Sequence, residues 1–305
     1  MLRLKTFSEE SMKQTHIGRL QVGNYSGLLL RFVGTNAAGQ VIAHSDLGTI
    51  EFSIDGRVFQ NVDLARLKEI NENYGGHVES VSVDDEAFAL SVFVPFEIPG
   101  FRNALSVLPG QSVVCQYNPG ANVATRLGAE TGTLRMTHIE ADVAQRYILR
   151  IGNVDRTHSD GQTSFNEIPA KNIHGLLIGS ASGYNENLNI NRDGKNVFNA
   201  KFDELLSATS FAFLRESLVT GYGFFTMGKQ NSDLLADNVS LEISTSGGAD
   251  TVYITYVAID TDSETSATAQ ARVAREVQTR VSRTNQKDAA LVKTIGDAAG
   301  AVSLA

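Results

Sequence analysis

Two stretches of this chain carry the same module in the same order, and that duplication constrains the fold more than any other feature. The first, IEFSIDGRVFQNVDLARL from Ile50, reads as a strand, the pair Asp55-Gly56, the pair Val58-Phe59, and a short helix ending on Leu67. The second, LNINRDGKNVFNAKFDELL from Leu188, reads as a strand, Asp193-Gly194, Val197-Phe198, and a helix ending on Leu206. Aligned on Val-Phe, Leu67 falls on Leu206, and only the Asp-Gly pairs are out of step, by one residue. Asp-Gly between alternating strands predicts a tight hairpin turn, because both residues tolerate the left-handed conformation that such a turn needs.

Further matches keep the order. Gly27-Leu28-Leu29 answers to Gly175-Leu176-Leu177, Gly100 with Asn103 to Gly228 with Asn231, and TLRMTHI from Thr133 to TVYITYV from Thr251. The spacing falls from 148 residues at Gly27/Gly175 to 139 at Val58/Val197 and 118 at Thr133/Thr251, so the first copy has the longer connections. An ordered set of matches separated by shrinking gaps is the signature of a duplicated unit whose strands persist while its loops drift.

Strands dominate residues 19 to 260. Apolar residues alternate at Ile50, Phe52 and Ile54, from Phe88 to Phe96, at Val113, Cys115 and Tyr117, and at Val239, Leu241 and Ile243, the period of a half-buried strand. TVYITYVAI is apolar on both faces and predicts a strand covered on both sides. Helical spacing is brief, at Leu64, Leu67 and Ile70 and again at Phe202, Leu205 and Leu206. Residues 118 to 132 and 153 to 172 lack apolar periodicity and read as surface loops available for contacts.

The composition narrows the chemistry. The formal charge of −8 opposes sequence-specific nucleic-acid binding, which needs clustered Lys and Arg against phosphates. Cys115 is the single cysteine, so an intrachain disulfide and a thiolate zinc site are excluded. The N-terminus lacks the apolar core of a secretory signal, and no stretch approaches the ~20 apolar residues that span a bilayer. The six histidines stand apart, without the close pairing that places two imidazoles on one metal. Asp84-Asp85-Glu86 reads as a solvated turn entering the strand at Phe88 rather than as a calcium loop. No phosphate loop, serine elbow or Cys-His nucleophile is present, so neither catalytic residues nor cofactor ligands are expected.

Beyond Asp260 the sequence changes character. Residues 261–305 are rich in Ala, Arg and Gln, and Val273, Val277 and Val281 form a stripe at helical spacing. Within residues 265–287, Arg272, Arg275, Arg280, Arg283 and Lys287 stand against Glu276 alone, a local excess of four positive charges in an acidic chain. Two readings of this basic helix stay open: an arm that touches lipid headgroups or nucleic acid, or a helix packed on a neighbouring subunit.

Two tandem strand-rich units, each with IEFSIDGRVF or NINRDGKNVF followed by a short Leu-containing helix, resemble the double jelly-roll major capsid proteins of tailless icosahedral viruses, in particular the corticovirus type of membrane-containing bacterial virus. The resemblance spans roughly residues 19 to 260 and leaves the tail uncovered. It implies an all-β fold of two eight-stranded jelly-roll sandwiches with short helices after the Asp-Gly turns, to which the residues themselves add a C-terminal helical tail. The expected division is an N-terminal arm (1–18), a first jelly roll (19–143), a second (144–260) and the tail (261–305). It also implies a non-enzymatic coat subunit that forms homotrimers with a nearly hexagonal outline and meets neighbouring capsomers and penton or spike proteins; such a coat lies over an internal viral membrane, and the expectation that the basic tail faces it rests on the tail's own charge. The location would be the virion shell, after assembly in the host cytoplasm. The alternatives are a two-domain jelly-roll protein that binds or processes glycans, against which the absence of Trp counts, and a minor capsid or spike protein of the same lineage.

Overall fold

The Asp-Gly pairs set the geometry of both halves. In this computed structural model, which describes residues 3–74, 80–83, 87–98, 103–143, 145–158, 162–165, 167–180, 187–201, 204, 222–226, 238–244 and 250–260, β4 (Gly48–Ile54) and β5 (Arg57–Asp63) form a hairpin through Asp55-Gly56. The hairpin of β15 (Asn187–Arg192) and β16 (Lys195–Lys201) turns through Asp193-Gly194. Asp55 and Asp193 both have φ 49°, and Gly56 and Gly194 have φ 82° and 76°, the left-handed turn whose twist matches that of paired strands. Each aspartate is also clamped to the loop before a third strand. The Asp55 N–H donates to the Ser112 carbonyl and its Oδ1 accepts the Ser112 N–H, both at 2.8 Å. Asp193 makes the same two bonds with Asn238 at 2.9 Å.

This clamp corrects the alignment on Val-Phe. A bulge follows each turn at the fourth residue after the aspartate, Phe59 in β5 and Val197 in β16. Phe59 is therefore equivalent to Val197, Gln60 to Phe198 and Asn61 to Asn199, and the Val-Phe pairs are one residue out of register. The turn, with its fixed φ angles and two bonds, defines the position, whereas the strand residues beyond it only need to keep the alternation.

The remaining strands are β1 (Leu4–Ser11), β2 (His16–Leu20), β3 (Gly23–Thr35), β6 (Ser80–Val83), β7 (Ala87–Pro95), β8 (Leu105–Val107), β9 (Val113–Pro119) and β10 (Gly132–Glu140) in the first half. The second half adds β11 (Ile148–Asn153), β12 (Arg156–His158), β13 (Gln162–Phe165), β14 (Ile173–Ser180), β17 (Tyr222–Thr226), β18 (Val239–Ser244) and β19 (Asp250–Asp260). Two helices are described, α1 (Leu64–Asn73) and α2 (Val123–Leu127). Asp63 starts α1 by accepting the N–H groups of Ala65 and Arg66 on one oxygen. The helix expected to end on Leu206 lies outside the described residues.

The pairing order is the same in both halves. One sheet runs β1-β10-β3-β7 in the first and β11/β12-β19-β14-β17 in the second, and the facing sheet runs β2-β9-β4-β5 and then β13-β18-β15-β16. These are the two four-stranded sheets of a jelly roll, made twice with strands in the same chain order. The register agrees as well, since Gly27 faces Ile139 and Gly175 faces Val257, pairs that the Thr133/Thr251 alignment makes equivalent. A side chain at either glycine would strike an aromatic ring of the adjacent strand, Phe93 or Phe224, the latter at 2.7 Å. The residues expected as an N-terminal arm instead contain β1 and the start of β2, edge strands of the first sandwich.

Each sandwich encloses its own core. Leu28, Leu30, Phe32, Leu134 and Met136 meet Ile50, Phe52, Cys115 and Tyr117 in the first. Leu176, Ile178 and Ile254 meet Leu188, Ile190, Leu241 and Ile243 in the second. Leu177, Phe224, Val257 and Ile259 point from the second sandwich into the first core, which is why β14 and β19 are apolar on both faces. Residues Met1–Thr261 form one compact unit. The tail, with Arg272, Arg275, Arg280, Arg283 and Lys287, lies outside the described residues, as do Asp84-Asp85-Glu86. Among the described residues no helix is long and apolar enough to cross a membrane.

Candidate assembly interface

The place where one jelly roll meets the next shows how such units associate. β5, the edge strand of the first unit, pairs in parallel with β11, the edge strand of the second, with Gln60 opposite Ile151 and Asn61 opposite Gly152. This joins two four-stranded sheets into one continuous sheet across both units. Phe59 and Ile151 are buried there, 8% and 1% exposed.

Polar side chains fix the seam. The Gln60 amide, 1% exposed, donates to the carbonyls of Pro95 and Leu149 at 3.2 and 3.0 Å, tying β7 to β11. Asn103 braces the chain as it crosses between the units. Its Nδ2 donates to the Phe96 and Tyr147 carbonyls at 2.7 and 3.1 Å, and its Oδ1 accepts the N–H groups of Arg146 and Tyr147. A buried amide that satisfies four backbone groups holds one arrangement, because any shift leaves buried polar atoms unpaired.

The α1 side of the seam is charged and aromatic. Arg66 grips both oxygens of Asp155 in a fork at 2.7 and 2.8 Å, and its guanidinium lies 4.7 Å over the Tyr253 ring. At the other end of the helix the Tyr74 hydroxyl lies 2.7 Å from His174 Nδ1, and its ring meets Phe224 edge-on at 5.2 Å. Burial pushes the His174 imidazole down to about 4, so it is neutral near pH 7 and shares a hydrogen bond between neutral groups with the Tyr74 hydroxyl. The seam leaves an open recess lined by Val58, Phe59, Asn61, Arg150, Gly152 and Tyr256, with no carboxylate or imidazole in its wall.

Among the candidate residues read from the sequence, the structure brings Asp55-Gly56 and Asp193-Gly194 into matching turns at the ends of the two hairpins. Among the described residues no cluster of His, Cys, Asp and Glu is arranged to hold a metal. Sequence reasoning missed the seam itself. Its one legible sign is Gln60, a polar residue where the alternation of β5 points inward. Asn103 entered the sequence reading only as half of a repeated Gly-Asn pair, with no sign of its bracing role.

No protein-family model matches the sequence, and a sequence comparison with curated proteins finds no match. Solved structures do match over most of the chain. The major capsid protein P2 of bacteriophage PM2 aligns with a TM-score of 0.59 at 13% identity, over 86% of this chain and 99% of that one. The major capsid protein of Sulfolobus turreted icosahedral virus gives 0.61 at 10% identity, over 86% and 97%. The Faustovirus major capsid protein gives 0.52 at 8% identity, over 85% and 90%. At such identities the likeness speaks to architecture, and the repeated sheet order agrees with it: residues 3–260 have the double jelly-roll fold of these coat proteins.

Proposed function

We propose that this chain is the major coat subunit of an icosahedral virion, assembling as a homotrimer with a nearly hexagonal outline. One observation carries the reading: two jelly rolls of identical strand order are joined edge to edge in a single chain, so three chains supply six similar units around a ring. The likeness to viral major capsid proteins over nearly their whole length supports it. In this reading residues 19–143 and 144–260, with β1 and β2 added to the first, are the two quasi-equivalent units. The trimer meets neighbouring capsomers and penton or spike proteins in the shell, assembly takes place in the host cytoplasm, and the basic tail faces an internal membrane. No feature of the seam favours catalysis or glycan processing.

The test is one purification with two readouts. Native mass spectrometry and negative-stain microscopy of the full chain should show trimers with a hexagonal outline, and monomers alone would overturn the coat reading. The intact protein should float with anionic vesicles, and replacing Arg272, Arg275, Arg280, Arg283 and Lys287 with Gln should abolish flotation. Flotation that survives the replacement, or is absent from the intact protein, removes the membrane role of the tail and leaves the trimer standing.

A further inference from the structure

We propose that β16 of one copy pairs in parallel with β1 of the next, repeating between chains the β5–β11 seam found within one chain. This inference rests on the trimeric coat reading and names the surface that builds the trimer. By the turn, bulge and register equivalences, β16 is the counterpart of β5, and β1 is the counterpart of β11 with β12. β5 and β11 cover each other's edges, whereas among the described residues nothing pairs the outer edge of β16 or of β1.

The burial contrast falls on the equivalent residues. Phe59 and Ile151, at the seam, are 8% and 1% exposed, while Val197 and Leu4, their counterparts, are 40% and 55% exposed. Two exposed large apolar side chains therefore stand on the two free edges, at positions where the internal seam buries its own. Open edges with apolar side chains invite pairing by another strand. A head-to-tail contact whose two sides lie on different parts of the chain makes a ring when the rotation closes, and here it alternates with the internal seam around that ring. Transferring the internal register places Phe198 opposite Leu4 of the next copy, and Asn199 opposite Lys5.

That register is testable by a disulfide. Opposed residues on adjacent strands lie about 4.8 Å apart, within the Cα range of a disulfide. Lys5 and Asn199 are both exposed, and Cys115 is fully buried with its thiol pushed up by burial, so it stays silent under mild oxidation. The Lys5→Cys/Asn199→Cys chain should run as a covalently closed trimer on a non-reducing denaturing gel, with either single variant running as one chain. Independently, Leu4→Asp should convert trimers to monomers. Native trimers that form no interchain disulfide and tolerate Leu4→Asp overturn the edge pairing but keep the trimer. Wild-type protein that is monomeric by native mass spectrometry overturns both.

Discussion

The two jelly rolls share strand order, register and turn geometry, yet the fate of one edge separates them. In the first, β5 is covered by β11, and Phe59, Gln60 and Val62 are buried. In the second, the same strand is β16, where no residue is fully buried. Their ion pairs diverge along the same line. Glu9 on β1 pairs with Arg135 on the adjoining strand at 2.9 Å, whereas Asp155, at the equivalent place, takes Arg66 from the other unit. A duplicated unit inherits the same pair of edges twice, but one linear chain can join only one edge of the first copy to one edge of the second. The remaining pair is left for another molecule.

The strongest way to break this comparison is to truncate the same position in both units. Ile151→Ala should cost the fold about 3 kcal/mol, as expected for a fully buried aliphatic side chain. Leu4→Ala should cost the isolated chain under ~0.5 kcal/mol, because Leu4 is exposed there. Urea denaturation of the two variants decides it, and equal losses would mean that the two edges are not in different states.

Acid should act on the seam next. His174 has its pKa lowered by burial to about 4, against roughly 6.5 in an unfolded chain. The unfolded state therefore takes up the proton first. The stabilisation is complete above pH 6.5, is lost progressively as the pH falls toward 4, and amounts to roughly 3 kcal/mol across that window. Ser26, the counterpart of His174 when Gly27 is matched to Gly175, cannot titrate, so this site is not repeated in the first unit, where burial lowers the pKa of His44 and His138 instead. Stability measured against pH for wild type and His174→Gln should differ by close to one proton of slope between pH 6.5 and 4, and parallel curves would refute the assignment.

The smallest effects should fall where the units agree. Asp55→Ala and Asp193→Ala each remove the acceptor for a loop N–H and place Ala at positive φ, costing about 1–2 kcal/mol apiece. Asn at either site should restore most of it, since Asn tolerates the left-handed region and keeps an acceptor. Thermal melts that rank the two alanine variants far apart would show that the clamps are not equivalent.

Much of the fold was legible because strands announce themselves by alternation, as in Ile50, Phe52 and Ile54, all of which are buried. The matched Gly27 and Gly175 were legible too, although their reason, an aromatic ring from the next strand lying over each, was not. β1 was missed. Its LKTFSEES alternates weakly because it is an edge strand with no buried residue. The Val-Phe alignment slipped by one because the bulge stands at the same place after both turns, making Phe59 the counterpart of Val197, so the shared dipeptide is a coincidence of composition that no pairing supports.

The sequence by itself determined that there are two units, that they are built of strands, and that an Asp-Gly turn sits at the same place in each. These are local matters, set by side-chain period and by the backbone freedom of particular residues. Only the tertiary structure decided which edge meets which, through Gln60 reaching Leu149, Asn103 bracing Tyr147 and Arg66 holding Asp155. Those contacts join residues 44 to 89 positions apart, and no short-range pattern along the chain encodes such a distance.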